Sequence, residues 1–517
     1  MVTIDGQSLT LGDIYKVSNQ LEKVTISSSA IRKIEQSYQR LEKIVENAMP
    51  VYGVNTGFGV FADQVISNQE SKTLNRNLII SHAVGTGLPL PKYIVRAAML
   101  IRANALAKGY SGVKFEVVNN LVEMLNKGVT PVVYSKGSLG SSGDLCMLAQ
   151  LALVLTRGEK DIPNESGLAE YEGNILPGQE AMKKAGVKRI ELTYKDGLAL
   201  INGATFSASV LALCTYETRK LCDLADLVIS LSLEALTGRT DAFNPGLHEA
   251  RGLKGQMTSA ENILRYLDGS NMVNSHPHIQ DAYSLRCAPQ VHGAVRDTLN
   301  FVTETAEKEI NAATDNPLIL DDGQVISGGN FHGEPVGMAA DYLSIALSEL
   351  AAISERRTFR MMDKNLNFGL TAMLVDSGGK AGLNSGVMML QYTAAALALE
   401  SQILCSPDSV RSLPTSANQE DHNANAFNAA LHLLQITENT AKVIAIEYYC
   451  ACRAIDLRIK EKPSFTMGRK TRLAYDTLRK EIPYQAGDAL WGKELDNLYN
   501  LILYCTEFRE RIYKIVN

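Results

Sequence analysis

FSASVLALCTYETRKLCDLADLVISLSLEAL, residues 206–236, carries apolar side chains at helical spacing along its length. The same period recurs in EPVGMAADYLSIALSELAAISERR (334–357), GVMMLQYTAAALALESQIL (386–404) and AKVIAIEYYCACRAIDLRIKEK (441–462). With only 15 prolines in 517 residues, such helices can run long. The expected fold is mainly α, with a bundle of long helices as its core. Helices of that length bury little alone, so symmetric oligomerisation is expected too.

Upstream the pattern changes. Most glycine-punctuated loops fall before residue 204: YGVNTGFG (52–59), SHAVGTG (81–87), GSLGSSGD (137–144) and a DGLALING turn (196–203). Glycine permits the tight backbone such loops need. Short strand-like pieces such as VKRIELTY (187–194) are expected at the periphery. The organisation read from this is a loop-rich N-terminal lobe over 1–203, a central long-helix bundle over 204–460 and a C-terminal helical segment over 461–517.

Composition removes several function classes. Hydrophobic residues make up 45% and charged residues 21%, ordinary globular usage that argues against disorder, collagen-like repeats and coiled-coil rods. The net charge of -5, with no basic stripe interleaved with aromatics, speaks against nucleic acid and anionic membrane as partners. MVTIDGQSLTLGDIYK (1–16) has no basic start followed by an apolar run, and no 18 apolar residues run uninterrupted, so a cytoplasmic enzyme is expected. Eight cysteines without any C-x-x-C pair read as mostly buried thiols rather than a disulfide framework or a metal site.

The stretch that carries chemistry is GSLGSSGDLCMLAQLALVL (137–155), two small-residue turns feeding an apolar helical run that starts near Asp144. A plain loop with Asp144 as helix cap accounts for it. A phosphate cradle does not, because the G-K-[ST] ending is missing. A second reading has the Gly143 nitrogen attack the carbonyl carbon of Ser141, closing a five-membered ring through the backbone. Loss of water, then of the Ser142 hydroxyl, leaves an exocyclic methylidene conjugated to a carbonyl. That product is a strong electrophile made without an external cofactor, and its closure needs a strained turn held from outside.

GSLGSSGDL resembles the signature of the aromatic amino acid ammonia-lyases and aminomutases, which use a 4-methylidene-imidazol-5-one group. YGVNTGFG, NLIISHAVGTG (77–87), LALING (198–203), QDAYSLRCAPQ (280–290), DNPLI (315–319), SGGNFHGEPVGMAADYL (327–343) and LPTSANQEDH (413–422) also resemble blocks of that family, in its order. The resemblance implies a prosthetic group formed from Ser141, Ser142 and Gly143, a homotetramer with shared active sites and an aromatic amino acid as substrate. It places Tyr52 as the base that removes the β-proton, with Ser142, Asn202, Tyr283 and Phe331 also in the catalytic group. Asn202 is the amide near ring and carboxylate, and Phe331 the aromatic residue against the ring. Arg286 pairs with the substrate carboxylate through its guanidinium fork. Gln280, Tyr283 and Arg286 are spaced by threes, which on a helix shows them on one side as a polar pocket wall.

His82 and Glu420 resemble the histidine-specific members: an imidazole wants an acceptor such as Glu420 and a polar neighbour such as His82. Read alone, Glu420 follows Pro414 where Ser416 and Gln419 have capping-box spacing, as if opening a helix. DAFNPGLHEARGLKGQ (241–256) and IAIEYYCACRAIDLR (444–458) resemble the same branch. The expected reaction is therefore elimination of ammonia from L-histidine to trans-urocanate. The alternatives are a tyrosine or phenylalanine ammonia-lyase, a 2,3-aminomutase that returns the amine to the β-carbon, and a non-catalytic helical scaffold. The chain departs from the family at Ser141, where alanine is usual, at Leu-Cys-Met-Leu-Ala-Gln (145–150), and at Ala204 to Phe206.

Overall fold

The computed structural model describes residues 1–46, 51–57, 63–67, 70–376, 380 and 382–517. Helix accounts for 60% of the chain, so the expected mainly α class is what forms. The long apolar stretches become the long helices: Thr205–Ala235, Glu334–Met362, Met388–Leu404 and Ala426–Glu461, joined by Ala288–Glu309. Strand is confined to short pieces. Val2–Ile4 pairs in parallel with Val24–Ile26, and Thr86–Pro89 runs antiparallel to Tyr134–Lys136. Thr130–Pro131, Leu168–Tyr171 and Asn174–Pro177 make a three-stranded sheet, and Leu318–Ile319 pairs with Val325–Ile326.

Thr205–Ala235 is buried around nearly its whole circumference, the mark of a core helix. Two of its hydroxyl residues tolerate this because they donate to the helix's own carbonyls: Thr215 to Leu211 at 2.6 Å, and Ser230 to Asp226 at 2.8 Å.

The backbone groups into two compact units. The first comprises Met1–Tyr216, Val302–Asp341 and Pro407–Leu431; the second comprises Glu217–Phe301, Tyr342–Ser406 and His432–Asn517. In the second, the buried Glu447 carboxylate joins three helices. It accepts from Arg357 Nε at 2.5 Å and Nη2 at 2.8 Å, from Ser354 at 2.6 Å and from Ser232 at 2.7 Å. A buried ion pair satisfied on every side costs about 3–5 kcal/mol to break from one end. Glu334–Met362 is long and apolar enough to cross a membrane, but 67% of its most apolar window is buried inside the protein, as in a core helix. Five of the eight cysteines are buried and three partly so, as the sequence suggested.

Two local expectations are overturned. VKRIELTY makes no strand: it meets the chain in a single bridge between Ile190 and Thr156. The buried Arg189 guanidinium is committed to the carbonyls of Leu153, Val154 and Thr156 and to Asp161, which seats the segment on the end of a helix instead of along a strand. DGLALING is not a turn but the short helix Asp196–Ile201, with extended backbone only at Asn202. Its glycine is needed for packing, since a Cβ on Gly197 would meet Asn75 Oδ1 at 2.5 Å.

Candidate active site

The apolar helix Leu145–Leu155 is buried along nearly all its length, and the serine-glycine turn sits at its N-terminus. Gly143 has φ +81°, in the left-handed region, and pairs in parallel with Gly203. Asp144 N donates to Gly203 O at 2.9 Å and Gly203 N donates to Ser142 O at 3.3 Å. The approach is so close that a Cβ on Gly143 would lie 2.0 Å from the Gly203 carbonyl carbon. Only glycine fits, for reasons of both space and φ.

Asp144 occupies the cap position of its helix but its carboxylate does not cap it. It accepts instead from Ser138 Oγ at 2.7 Å, Ser207 N at 2.8 Å and Ser207 Oγ at 3.0 Å. The cap is thus given to a later helix, Thr205–Ala235, and the turn is tied to its start. Burial pushes the Asp144 carboxyl above its ordinary range, and these hydrogen bonds oppose the shift. Gly333 N donates to Gly140 O at 2.9 Å, which brings the segment containing Phe331 against the same turn.

The turn opens on a cavity of about 610 Å³ within the first unit, lined by Tyr52, His82, Ser142, Asn202, Phe331 and Glu420, with Leu78, Leu145, Leu198 and Ile201 as apolar wall. Six residues singled out in the sequence, spread over nearly 370 positions, therefore meet in one place. Ser142 Oγ donates to Glu420 Oε1 at 2.6 Å, and Ser141 and Thr415 hydroxyls lie 3.4 and 3.0 Å from Glu420 Oε2. Asn202 Nδ2 donates to Ser142 O at 2.9 Å, while Asn202 Oδ1 is buried and has no hydrogen-bond partner among the described residues.

Glu420 does not open a helix. Ser416–Asn418 is a single distorted turn with Ala417 at φ +51°, and Thr415 and Glu420 pair across it as an antiparallel bridge. That hairpin-like closure, not helix geometry, aims the carboxylate at Ser142. His82 ends the helix Ser71–His82, and its Nδ1 lies 2.8 Å from Leu78 O. A carbonyl only accepts, so Nδ1 carries the proton and Nε2 of the neutral ring is left as an acceptor. Burial holds the His82 pKa below 6.5, opposed by the Leu78 carbonyl and the negative Glu420.

Around Tyr52, Val51 N donates to Asn55 Oδ1 at 2.7 Å and Gly57 N to Gln64 O at 2.9 Å. The remainder of YGVNTGFG, Phe58 and Gly59, lies outside the described residues.

Gln280, Tyr283 and Arg286 belong to the second unit and are not among the residues that line this cavity. The one-sided helical wall expected of them is not formed. The helix is only Tyr283–Arg286, and Gln280 precedes it on exposed chain that belongs to no helix or strand. The Asp281 carboxylate, drawn to Arg239 N at 2.6 Å and to His278, ties that stretch down outside the helix. Arg286 lies over the Tyr283 ring at 4.7 Å, and Tyr283 is 71% exposed.

Other contributors were not singled out in the sequence. Asn77, Gln64 and Asn316 also line the cavity. Behind it Lys195 pairs with Asp315, both buried, and Arg102 is buried against Ala199 O and Thr205 Oγ1. Asn77 and Asn316 lie inside stretches already noted for their resemblance, which was a usable signal; nothing in the type or spacing of Arg102 marked it.

A backbone-derived ring fits this geometry. Gly143 has no side chain to obstruct closure, the Ser142 hydroxyl faces a carboxylate, and the Ser142 carbonyl, which would remain in the ring, already has two donors on it.

The sequence matches the aromatic amino acid lyase family over residues 9–480. It is 44% identical to histidine ammonia-lyase from Alkaliphilus oremlandii over 518 residues, covering 100% of this chain and 99% of the relative. Among solved structures it is similar to histidine ammonia-lyase from Trypanosoma cruzi, with TM-score 0.90 and 35% identity over 100% of this chain and 96% of that one. It is also similar to the phenylalanine aminomutase of Pantoea agglomerans, with TM-score 0.91 and 32% identity over 98% of this chain and 99% of that one. Sequence match and geometry converge, and the chain belongs to the aromatic amino acid lyase family.

Proposed function

We propose that this chain eliminates ammonia from L-histidine to give trans-urocanate, using an electrophile that it forms from Ser141, Ser142 and Gly143. The observation that carries the reading is the Glu420 carboxylate, 2.6 Å from Ser142 Oγ and in one cavity with His82. A carboxylate there accepts the N–H of an imidazole, whereas beside a phenyl ring it stays unpaired, at a cost of several kcal/mol. The full-length identity to histidine ammonia-lyases supports the same substrate.

When formed, the methylidene-imidazolone supplies an electrophilic carbon that captures the substrate amine and makes it a better leaving group. Asn202 Nδ2 and Gly203 N donate to the Ser142 carbonyl oxygen, at 2.9 and 3.3 Å, where negative charge is best stabilised during attack. The buried Asn202 Oδ1, which has no partner among the described residues, is an acceptor for a substrate N–H. Tyr52, on the cavity wall, is the base for the β-proton, and Phe331, which lines the same cavity, would lie against the prosthetic ring. His82 Nε2, left as an acceptor by the Nδ1 contact with Leu78 O, would serve the imidazole of the substrate. Gln280, Tyr283 and Arg286 complete the site from neighbouring subunits of a homotetramer, with Arg286 taking the substrate carboxylate; the exposure of Tyr283 suits that role. In this reading 1–203 is the lobe bearing the prosthetic group, 204–460 the bundle and 461–517 a closing helical segment of a cytoplasmic enzyme.

The test is product analysis of the purified protein incubated separately with L-histidine, L-tyrosine and L-phenylalanine. Urocanate with an equivalent of free ammonia is expected from histidine alone. A β-amino acid without net ammonia would make the chain an aminomutase, and elimination from tyrosine or phenylalanine in preference to histidine would overturn the assigned role of Glu420.

A further inference from the structure

The three hydroxyls around Glu420 divide between its two oxygens. Ser142 donates to Oε1 at 2.6 Å, while Thr415 and Ser141 both face Oε2, at 3.0 and 3.4 Å. Ring closure removes only the first. The Gly143 nitrogen bonds to the Ser141 carbonyl carbon, and that carbonyl's oxygen departs as water with the amide hydrogens of Ser142 and Gly143. The Ser142 hydroxyl departs as a second water with the Ser142 α-hydrogen. Oε1 loses its donor, and the Ser141 side chain is untouched.

We infer that Ser141 Oγ is a positioning residue that, with Thr415, anchors Glu420 Oε2 in the matured protein and so presents Oε1 to the substrate imidazole. The inference rests on the histidine reading above. Ser141 is 7% exposed, so its hydroxyl needs an internal partner, and among the described residues Glu420 is an acceptor within reach. The 3.4 Å separation is long for a hydroxyl-carboxylate bond, and Ser142 holds the other carboxylate oxygen at 2.6 Å. Once that hold is gone, the carboxylate settles toward the two hydroxyls that remain. Alanine, usual at this position in the family, has no hydroxyl to give, so the second anchor on Oε2 comes from this chain's own departure.

Binding separates this role from the chemistry. Ser142→Ala cannot form the ring, lacks the donor to Oε1 and turns nothing over, so the affinity of L-histidine for it is read directly by calorimetry. Adding Ser141→Ala should weaken that affinity about tenfold, the scale of one hydrogen bond to a charged group, and Ser141→Thr in its place should keep it. In a Ser142→Ala/Glu420→Gln background the same Ser141→Ala change should cost much less, because the acceptor no longer carries a charge. In the chain free to mature, Ser141→Ala should still lose two waters by intact mass and raise KM for histidine more than it lowers kcat.

Equal affinity with and without the Ser141 hydroxyl, or a loss that persists unchanged beside Glu420→Gln, overturns the inference while leaving the histidine reading intact. A folded Ser142→Ala protein that binds no histidine overturns the histidine reading itself. Should the doubly substituted chain fail to fold, the comparison of Ser141→Ala with Ser141→Thr in the maturing chain decides the matter: equal KM values reject the role.

Discussion

Gly143→Ala attacks the geometry at its tightest point. The added methyl would lie 2.0 Å from the Gly203 carbonyl carbon and 2.3 Å from its nitrogen and oxygen, 1.4 Å short of the 3.4 Å at which ordinary contact begins. The obstructing atoms are backbone and cannot swing aside, so the two segments must part by more than 1 Å. Parting them breaks Asp144 N to Gly203 O, Gly203 N to Ser142 O and the Asn202 bond to Ser142 O, each about 1 kcal/mol. Holding alanine at φ +81° adds about 1 kcal/mol more. The expected destabilisation is about 3–5 kcal/mol, and misplacing Ser142 by about 1 Å is worth at least about 100-fold in rate even where a ring still forms. Intact mass, a thermal melt and histidine turnover form the assay. A chain that keeps both waters, melts lower and has lost activity is the expected result. A variant that sheds two waters and turns over within tenfold of the parent would refute the reasoning.

Asp144→Ala removes the acceptor from Ser138 Oγ, Ser207 N and Ser207 Oγ in a fully buried place; a loss on the order of 4 kcal/mol is expected, seen as a lowered melting temperature and an unmatured turn. Glu420→Gln keeps the shape but not the charge, and should raise KM for histidine about 10- to 100-fold while leaving thermal stability close to the parent's. The depressed pKa of His82 makes the neutral ring the folded form, so its contribution to stability is complete above pH 6.5 and is lost as pH falls below that value, where the unfolded chain takes up the proton first. Replacing His82 with asparagine should flatten the melting temperature's dependence on pH in that acid window, and an unchanged slope would contradict the assignment.

Much of the fold was legible because long apolar periods such as 206–236 permit little except buried helix, and that helix forms almost where its pattern lies. The meeting of Tyr52, His82, Ser142, Asn202, Phe331 and Glu420 in one cavity was legible through resemblance, since no local pattern joins residues so far apart in the chain. The failures share a cause. Local sequence points to a cap at Asp144, a helix start at Ser416 and a strand at VKRIELTY, yet each is decided by a distant partner: Ser207 for Asp144, Ser142 for the Glu420 that closes the turn, and the helix-end carbonyls that hold Arg189. The three-residue spacing of Gln280, Tyr283 and Arg286 misled in the same way, because spacing predicts a shared face only where the helix exists.

The central claim is that residues 141–143 are a reagent and not merely a turn. The direct measurement is the mass of freshly purified, active protein, whole and as the peptide that contains Ser142. A deficit of two waters confined to that peptide is the predicted result. Full activity from a chain that retains both waters, with an ordinary serine at 142, would contradict the account.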